Sequence, residues 1–167
     1  MDEADRIQYF EVEKRSVPAK LWLPDQAPRD VQVFLKEHSQ WRAGPELPSD
    51  LFVDDRVYFP VQDPEWGTVL IKRDSLMAMT VALDQTPPTP KTDEDYGEAE
   101  APSTYSVSVF LTDGTTLQGE LTVVLHGQVL RRLQDYMNLE DRSFVLRDGD
   151  SAHIINKAWT VAVRQAE

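Results

Sequence analysis

Between Arg131 and Gly149 the chain reads RRLQDYMNLEDRSFVLRDG, where Arg131, Arg132, Arg142 and Arg147 are interleaved with Asp135, Glu140, Asp141 and Asp148. Two kinds of chemistry are open to such a set. Neighbouring carboxylates can split their pKa values and act as acid and base, a role open to Asp135 with Glu140 or Asp141. Alternatively, the arginines could hold phosphates while Tyr136 stacks on a base. The first reading competes with a simpler one, in which Arg132 or backbone N–H groups of a nearby helix hold Asp135. The second is weakened because each arginine has an acidic neighbour that blunts its field. The stretch therefore reads as an ion-paired joint between a helix and the rest of the fold. A protein-docking surface and a nucleic-acid surface are the alternatives.

The three histidines, His38, His126 and His153, lie far apart with no ligand spacing, so no metal site is expected. The absence of cysteine removes disulfides, thiol catalysis and thiolate metal sites. No phosphate loop, nucleophile elbow or dinucleotide fingerprint appears. No catalytic residue, metal or cofactor is assigned. Trp41 in HSQWRAG and Trp66 in DPEWGT fall in polar loops. Each either folds back over its own domain or stands at a partner surface, where Trp and Arg are enriched. Trp22 and Trp159 fall in expected strands and read as core. The candidate partner-binding residues are Trp41, Trp66, Arg131, Arg132 and Tyr136.

A net charge of −12 argues against a phosphate backbone or an anionic membrane as the main partner. The N-terminus, MDEADRIQYF, lacks the basic and then apolar order of a secretory signal, and no run reaches the length of a membrane helix. These features suggest a cytoplasmic protein.

The elements that must position these residues divide into two sets. Residues 86–103 are rich in proline and acid, with Lys91 against Asp93, Glu94, Asp95, Glu98 and Glu100. That composition predicts an extended linker between an N-terminal unit, 1–85, and a C-terminal unit, 104–167. In the second unit YSVSVFLT alternates as a half-buried strand, and Asp113-Gly114 predicts a hairpin. The return strand TLQGELTVVL contains Gly119, a sign of a bulge or sharp bend. QVLRRLQDYMN has helical spacing, and RSFVLRD, AHIINK and WTVAVRQ complete five strands. The first unit repeats the order with VPAKLWLP, DVQVFLKE, a helical turn in PELPSDLF, RVYFPVQ, GTVLIK and AMTVALD. Asp135-Tyr136-Met137 answers to Asp50-Leu51-Phe52, Glu140-Asp141-Arg142 to Asp54-Asp55-Arg56, and Lys157 to Lys72. Such repetition predicts an internal duplication. Five short, bent strands per unit predict an all-β fold of two tandem small β-barrels, SH3-like or Sm-like. The two would meet at a pseudo-twofold interface, like a dimer of repeats, and further oligomerisation is open.

The second unit also resembles a group of uncharacterised bacterial small β-barrel proteins. The resemblance rests on Asp113, Gly114, Leu117, Gly119 and Leu121, then Arg132, Asp135, Met137 and Asn138, then Phe144, Leu146, Asp148, Ile155 and Lys157. It covers about 60 residues, implies the small-barrel fold and brings no activity with it. The sequence therefore points to a non-catalytic accessory or scaffold subunit that docks on other proteins. The cytoplasmic face of a membrane complex would be one such setting. The alternative is an RNA- or small-ligand-binding module built on Arg131, Arg132 and Tyr136.

Overall fold

The computed structural model describes residues 14–39, 44–53, 55–86, 103–123, 133–139 and 141–166. The expected linker falls mostly outside these, as do Trp41, Asp54, His126, Arg131, Arg132 and Glu140. At the two ends of the linker the structure is ordered by contacts. Thr86 is buried and its hydroxyl donates to the Leu83 carbonyl, while Ser103 already pairs with Val123.

The ten strands expected from alternation all form. They are β1 (Lys14–Trp22), β2 (Arg29–Lys36), β3 (Tyr58–Asp63), β4 (Gly67–Lys72), β5 (Ala78–Ala82), β6 (Ser103–Leu111), β7 (Thr116–Val123), β8 (Ser143–Asp148), β9 (Ser151–Asn156) and β10 (Thr160–Gln165). Between β2 and β3 lies a 3-10 turn, Pro48–Phe52, and between β7 and β8 the helix α1, Leu133–Met137. Each strand pairs antiparallel with its neighbours. The fold is all-β.

All ten strands belong to one sheet in the order β10-β6-β7-β8-β9-β5-β1-β2-β3-β4. The outermost strands, β10 and β4, are not paired with each other, so the sheet is not closed. Here the structure departs from the expected pair of closed barrels. Each half does curl around its own core. In the first, Val17, Leu21, Val33, Leu35, Phe59, Val61 and Ile71 gather with Met79 and Val81 although β4 and β5 stand four places apart in the sheet. The second core gathers Val107, Val109, Leu117, Leu121, Phe144, Leu146 and Ile155. Gly119 explains how β8 comes so close to β7. A Cβ there would stand 2.6 Å from the Arg147 carbonyl oxygen, so only glycine admits that approach. At the β6–β7 hairpin Gly114 takes φ +93°, as the Asp-Gly pair predicts.

The strand order of the second half is that of the first with five added to each number. The two outer hairpins share their register: Phe59 pairs with Ile71 and Pro60 with Leu70, as Phe144 pairs with Ile155 and Val145 with Ile154. The loop Pro64–Trp66 is one residue longer than Gly149–Asp150, which shifts part of the expected correspondence. Lys157 thus answers to Arg73 rather than to Lys72. Both open short 3-10 turns, and their N–H groups donate to Arg142 and Val57 carbonyls respectively.

The joint between the halves is the β5–β9 pairing, Ala78 opposite Ile155 through Ala82 opposite Ser151. A twofold would place like strands together. Here the fifth strand of one half meets the fourth strand of the other, so the expected pseudo-twofold contact is replaced by a head-to-tail one. Both strands are buried on both faces and feed both cores. Met77, just before β5, and Ala78, its first residue, pack in the second core, and Ile154 of β9 packs in the first. Trp159 lies in the 3-10 turn Lys157–Trp159 rather than in a strand, and its indole donates to the Asp74 carbonyl across the joint.

Candidate functional site

The β3–β4 turn builds the surface that stands out. Asp63 ends β3 and turns its carboxylate back on the loop. Its Oδ1 accepts from the backbone N–H of Glu65 at 2.8 Å and of Trp66 at 3.1 Å, an Asx-type turn that fixes the loop. Gly67 then takes φ +76° to enter β4. The other oxygen, Oδ2, accepts from Arg29 Nη1 at 2.8 Å, and the Asp63 side chain is only 4% exposed. Burial pulls the Asp63 carboxyl upward, but the Glu65 and Trp66 N–H groups and the Arg29 guanidinium outweigh it, holding it below the usual carboxylate range.

Arg29, at the start of β2, lies over the Trp66 ring with Cζ 3.4 Å from its centroid, a cation–π contact. Asp63 thus orients both partners, the loop through its backbone and the guanidinium directly. The indole remains 57% exposed. Trp66 is not among the residues packed on the first core. Beside it, Gln26, Pro28, Arg29, Asp30, Asp63 and Glu65 line a shallow cavity of about 380 Å³. The arrangement is a rigid aromatic plate with an arginine whose charge is already matched. It can present apolar area and hydrogen-bond donors to a protein surface. Asp63 takes one nitrogen of the guanidinium and matches its charge, which weakens its pull on a phosphate.

Tyr136 has a different setting. It lies in α1, partly buried against the second core. Burial, with the charge of Asp141 added, pushes its hydroxyl above the ordinary tyrosine range. Lys157 reaches under the same helix, its Nζ donating to the Met137 and Leu139 carbonyls at 3.3 and 3.0 Å and lying 5.9 Å from the Tyr136 ring. A cation on the last carbonyls of a helix suits its negative end. Burial lowers the Lys157 pKa, with Asp141 opposing. This clamp holds α1 on the sheet, and sequence reasoning, looking to the arginines for it, missed the lysine. Trp41, Arg131 and Arg132 lie outside the described residues, so the structure brings only Trp66 and Tyr136 into view, at separate places.

A polar chain at the joint was also missed. The Trp22 indole donates to Thr80 Oγ1 at 2.8 Å, Thr80 Oγ1 meets His153 Nδ1 at 2.6 Å, and His153 Nε2 meets Asp148 Oδ2 at 3.1 Å. The residue types suggest a catalytic triad, but the chain is closed. His153 is 7% exposed with both ring nitrogens engaged, and the indole already occupies the threonine hydroxyl. It is a structural tie between β1, β5, β9 and β8. Among the described residues no group of three or more His, Cys, Asp or Glu is placed to hold a metal ion, and no helix is long and apolar enough to cross a membrane.

Comparison with protein-family models, curated proteins and solved structures finds no match to this chain.

Proposed function

We propose that this chain is a non-catalytic accessory or scaffold subunit of the cytoplasm that docks on other proteins in a larger assembly. In this reading each half is an incompletely closed small β-barrel of SH3-like or Sm-like type, and the two arose by internal duplication. The same strand order and hairpin register in the two halves support the duplication. The observation that carries the docking role is the Trp66 plate. A large aromatic ring is left 57% exposed, yet its loop and its Arg29 partner are held by one buried carboxylate. Rigid Trp–Arg pairs lose little freedom on binding and are the usual anchors of protein interfaces.

The alternative, binding of RNA or a small ligand around Tyr136, draws no comparable support. The ring packs partly against the second core, and Lys157 beside it is engaged with the carbonyls that end α1.

The experiment is Trp66→Ala. Loss of an exposed ring and its cation–π contact lowers folding stability by about 1 kcal/mol or less. If the plate anchors a partner, the complex recovered with the wild-type chain from its host weakens by more than about tenfold. Unchanged association would refute the role of the plate. Nucleic acid absorbance in place of a discrete protein complex would favour the alternative.

A further inference from the structure

Among the described residues, the two outermost strands of the sheet are the counterparts of the two that pair at the internal joint. At the joint the fifth strand of the first half, β5, pairs with the fourth strand of the second, β9. Among the described residues the sheet then ends on two strands: β4, the fourth of the first half, and β10, the fifth of the second. Each end carries the half of the joint that the other lacks.

The side chains follow the same logic. Ile154 of β9 is fully buried because it enters the first core, and Met77, just before β5, is 1% exposed because it enters the second. By hairpin register the counterpart of Ile154 is Leu70 on β4, opposite Pro60 as Ile154 is opposite Val145. Met77 precedes Ala78, which pairs with Trp22, and Val161 precedes Ala162, which pairs with Phe110. Leu70 and Val161 are 63% and 68% exposed, the two most exposed large apolar residues among those described. Alongside β10 runs an open groove of about 690 Å³ lined by Tyr105, Leu133, Met137, Val161 and Val163. At the first core, Ile154 and Val145 of the second half pack in from across the joint. An uncovered apolar edge is a ready template for another strand.

We propose that a second copy of this chain docks head to tail, its β4 adding to β10 in the register of the internal joint, with Val163 opposite Leu70 and Ala162 opposite Ile71. Leu70 enters the second core of the neighbour, as Ile154 enters the first core within the chain. Val161 enters the first core of the other copy. Such a contact leaves one β4 and one β10 free at the ends, so it propagates beyond a dimer into a ring or an open array. The Trp66 loop leads into β4, so this contact begins where the plate ends.

The test is sedimentation velocity of the full chain from low micromolar to near-millimolar concentration, with Leu70→Lys and Val161→Lys. The wild type gives concentration-dependent species heavier than a dimer of the 19.1 kDa chain. Each variant associates at least about tenfold more weakly while melting as the wild type does. A mixture of the two restores one intact contact and stops at a heterodimer. A wild type that stays monomeric throughout, a mixture that fails to pair, or a dimer that neither variant weakens overturns the proposal. If a lysine variant does not fold, the register is read by oxidation of mixed Leu70→Cys and Val163→Cys chains, which have no other cysteine. Failure of that disulfide to form overturns it equally. Sedimentation is read on this chain alone with no partner present, so the outcome is independent of the docking role of the plate.

Discussion

Ile154→Ala tests whether the two halves share their stability. The side chain is fully buried, lies opposite Met79 and Val145, and belongs to a strand of the second half while packing in the core of the first. Alanine removes three carbons. At about 0.8 kcal/mol per buried methylene the lost transfer energy is roughly 2.4 kcal/mol. The cavity left between two sheet neighbours raises the cost to about 3–4 kcal/mol. That is a large part of the usual total for a domain. The assay is urea unfolding followed by tryptophan fluorescence and by far-UV circular dichroism, in dilute solution. Both probes should move together, to a lower midpoint with an unchanged slope. Val161→Ala, at an exposed position, serves as the control and changes stability by less than about 0.5 kcal/mol. A loss below about 1 kcal/mol for Ile154→Ala, or two separate transitions in the wild type, would refute the shared core.

Two further outcomes follow from local geometry. Gly119→Ala places a methyl against the Arg147 carbonyl at 2.6 Å and should destabilise by about 1–3 kcal/mol, read in the same unfolding assay; a neutral effect would show that β8 does not need this approach. Asp63 has a folded pKa held below its unfolded value, so its stabilising effect is complete above the unfolded carboxylate pKa of about 3.9. It is lost as pH falls through the lower folded value. An acid titration of stability and Trp66 fluorescence should therefore lose this contribution below about pH 4, and Asp63→Asn should remove that part of the acid limb. An acid limb identical in Asp63→Asn would refute the role of the carboxylate.

The strands were legible because alternation is a local property. Val31, Val33 and Leu35 face one way along β2 whatever lies beside them, and the Asp113-Gly114 turn is set by backbone conformation alone. Which strand closes the sheet is not local. Closure into two barrels was the economical way to hide edges, whereas the chain hides two of them by pairing β5 with β9. A signal was present in AMTVAL and AHIIN, near-continuous apolar runs that mark strands buried on both faces. At the site, the turn-forming character of Asp63 in QDPEWG was readable. Its pairing with Arg29, and the contact of Arg29 with Trp66, depended on the β2–β3 register. The Lys157 clamp was obscured because the arginines nearer in sequence offered the same charge.

The sharing of strands across the joint also governs how the molecule is made. When Ala82 leaves the ribosome, β5 can pair with β1, but Met77 and Ala78 have no core to enter and Met79 lacks its partner Ile154. The first half stays an unfinished product until residues 151–156 are translated. Contacts of such wide separation form late, because chain closure precedes any reward. Through that interval the nascent chain carries an apolar strand edge that chaperones of the ribosome exit would recognise and that neighbouring nascent chains could capture.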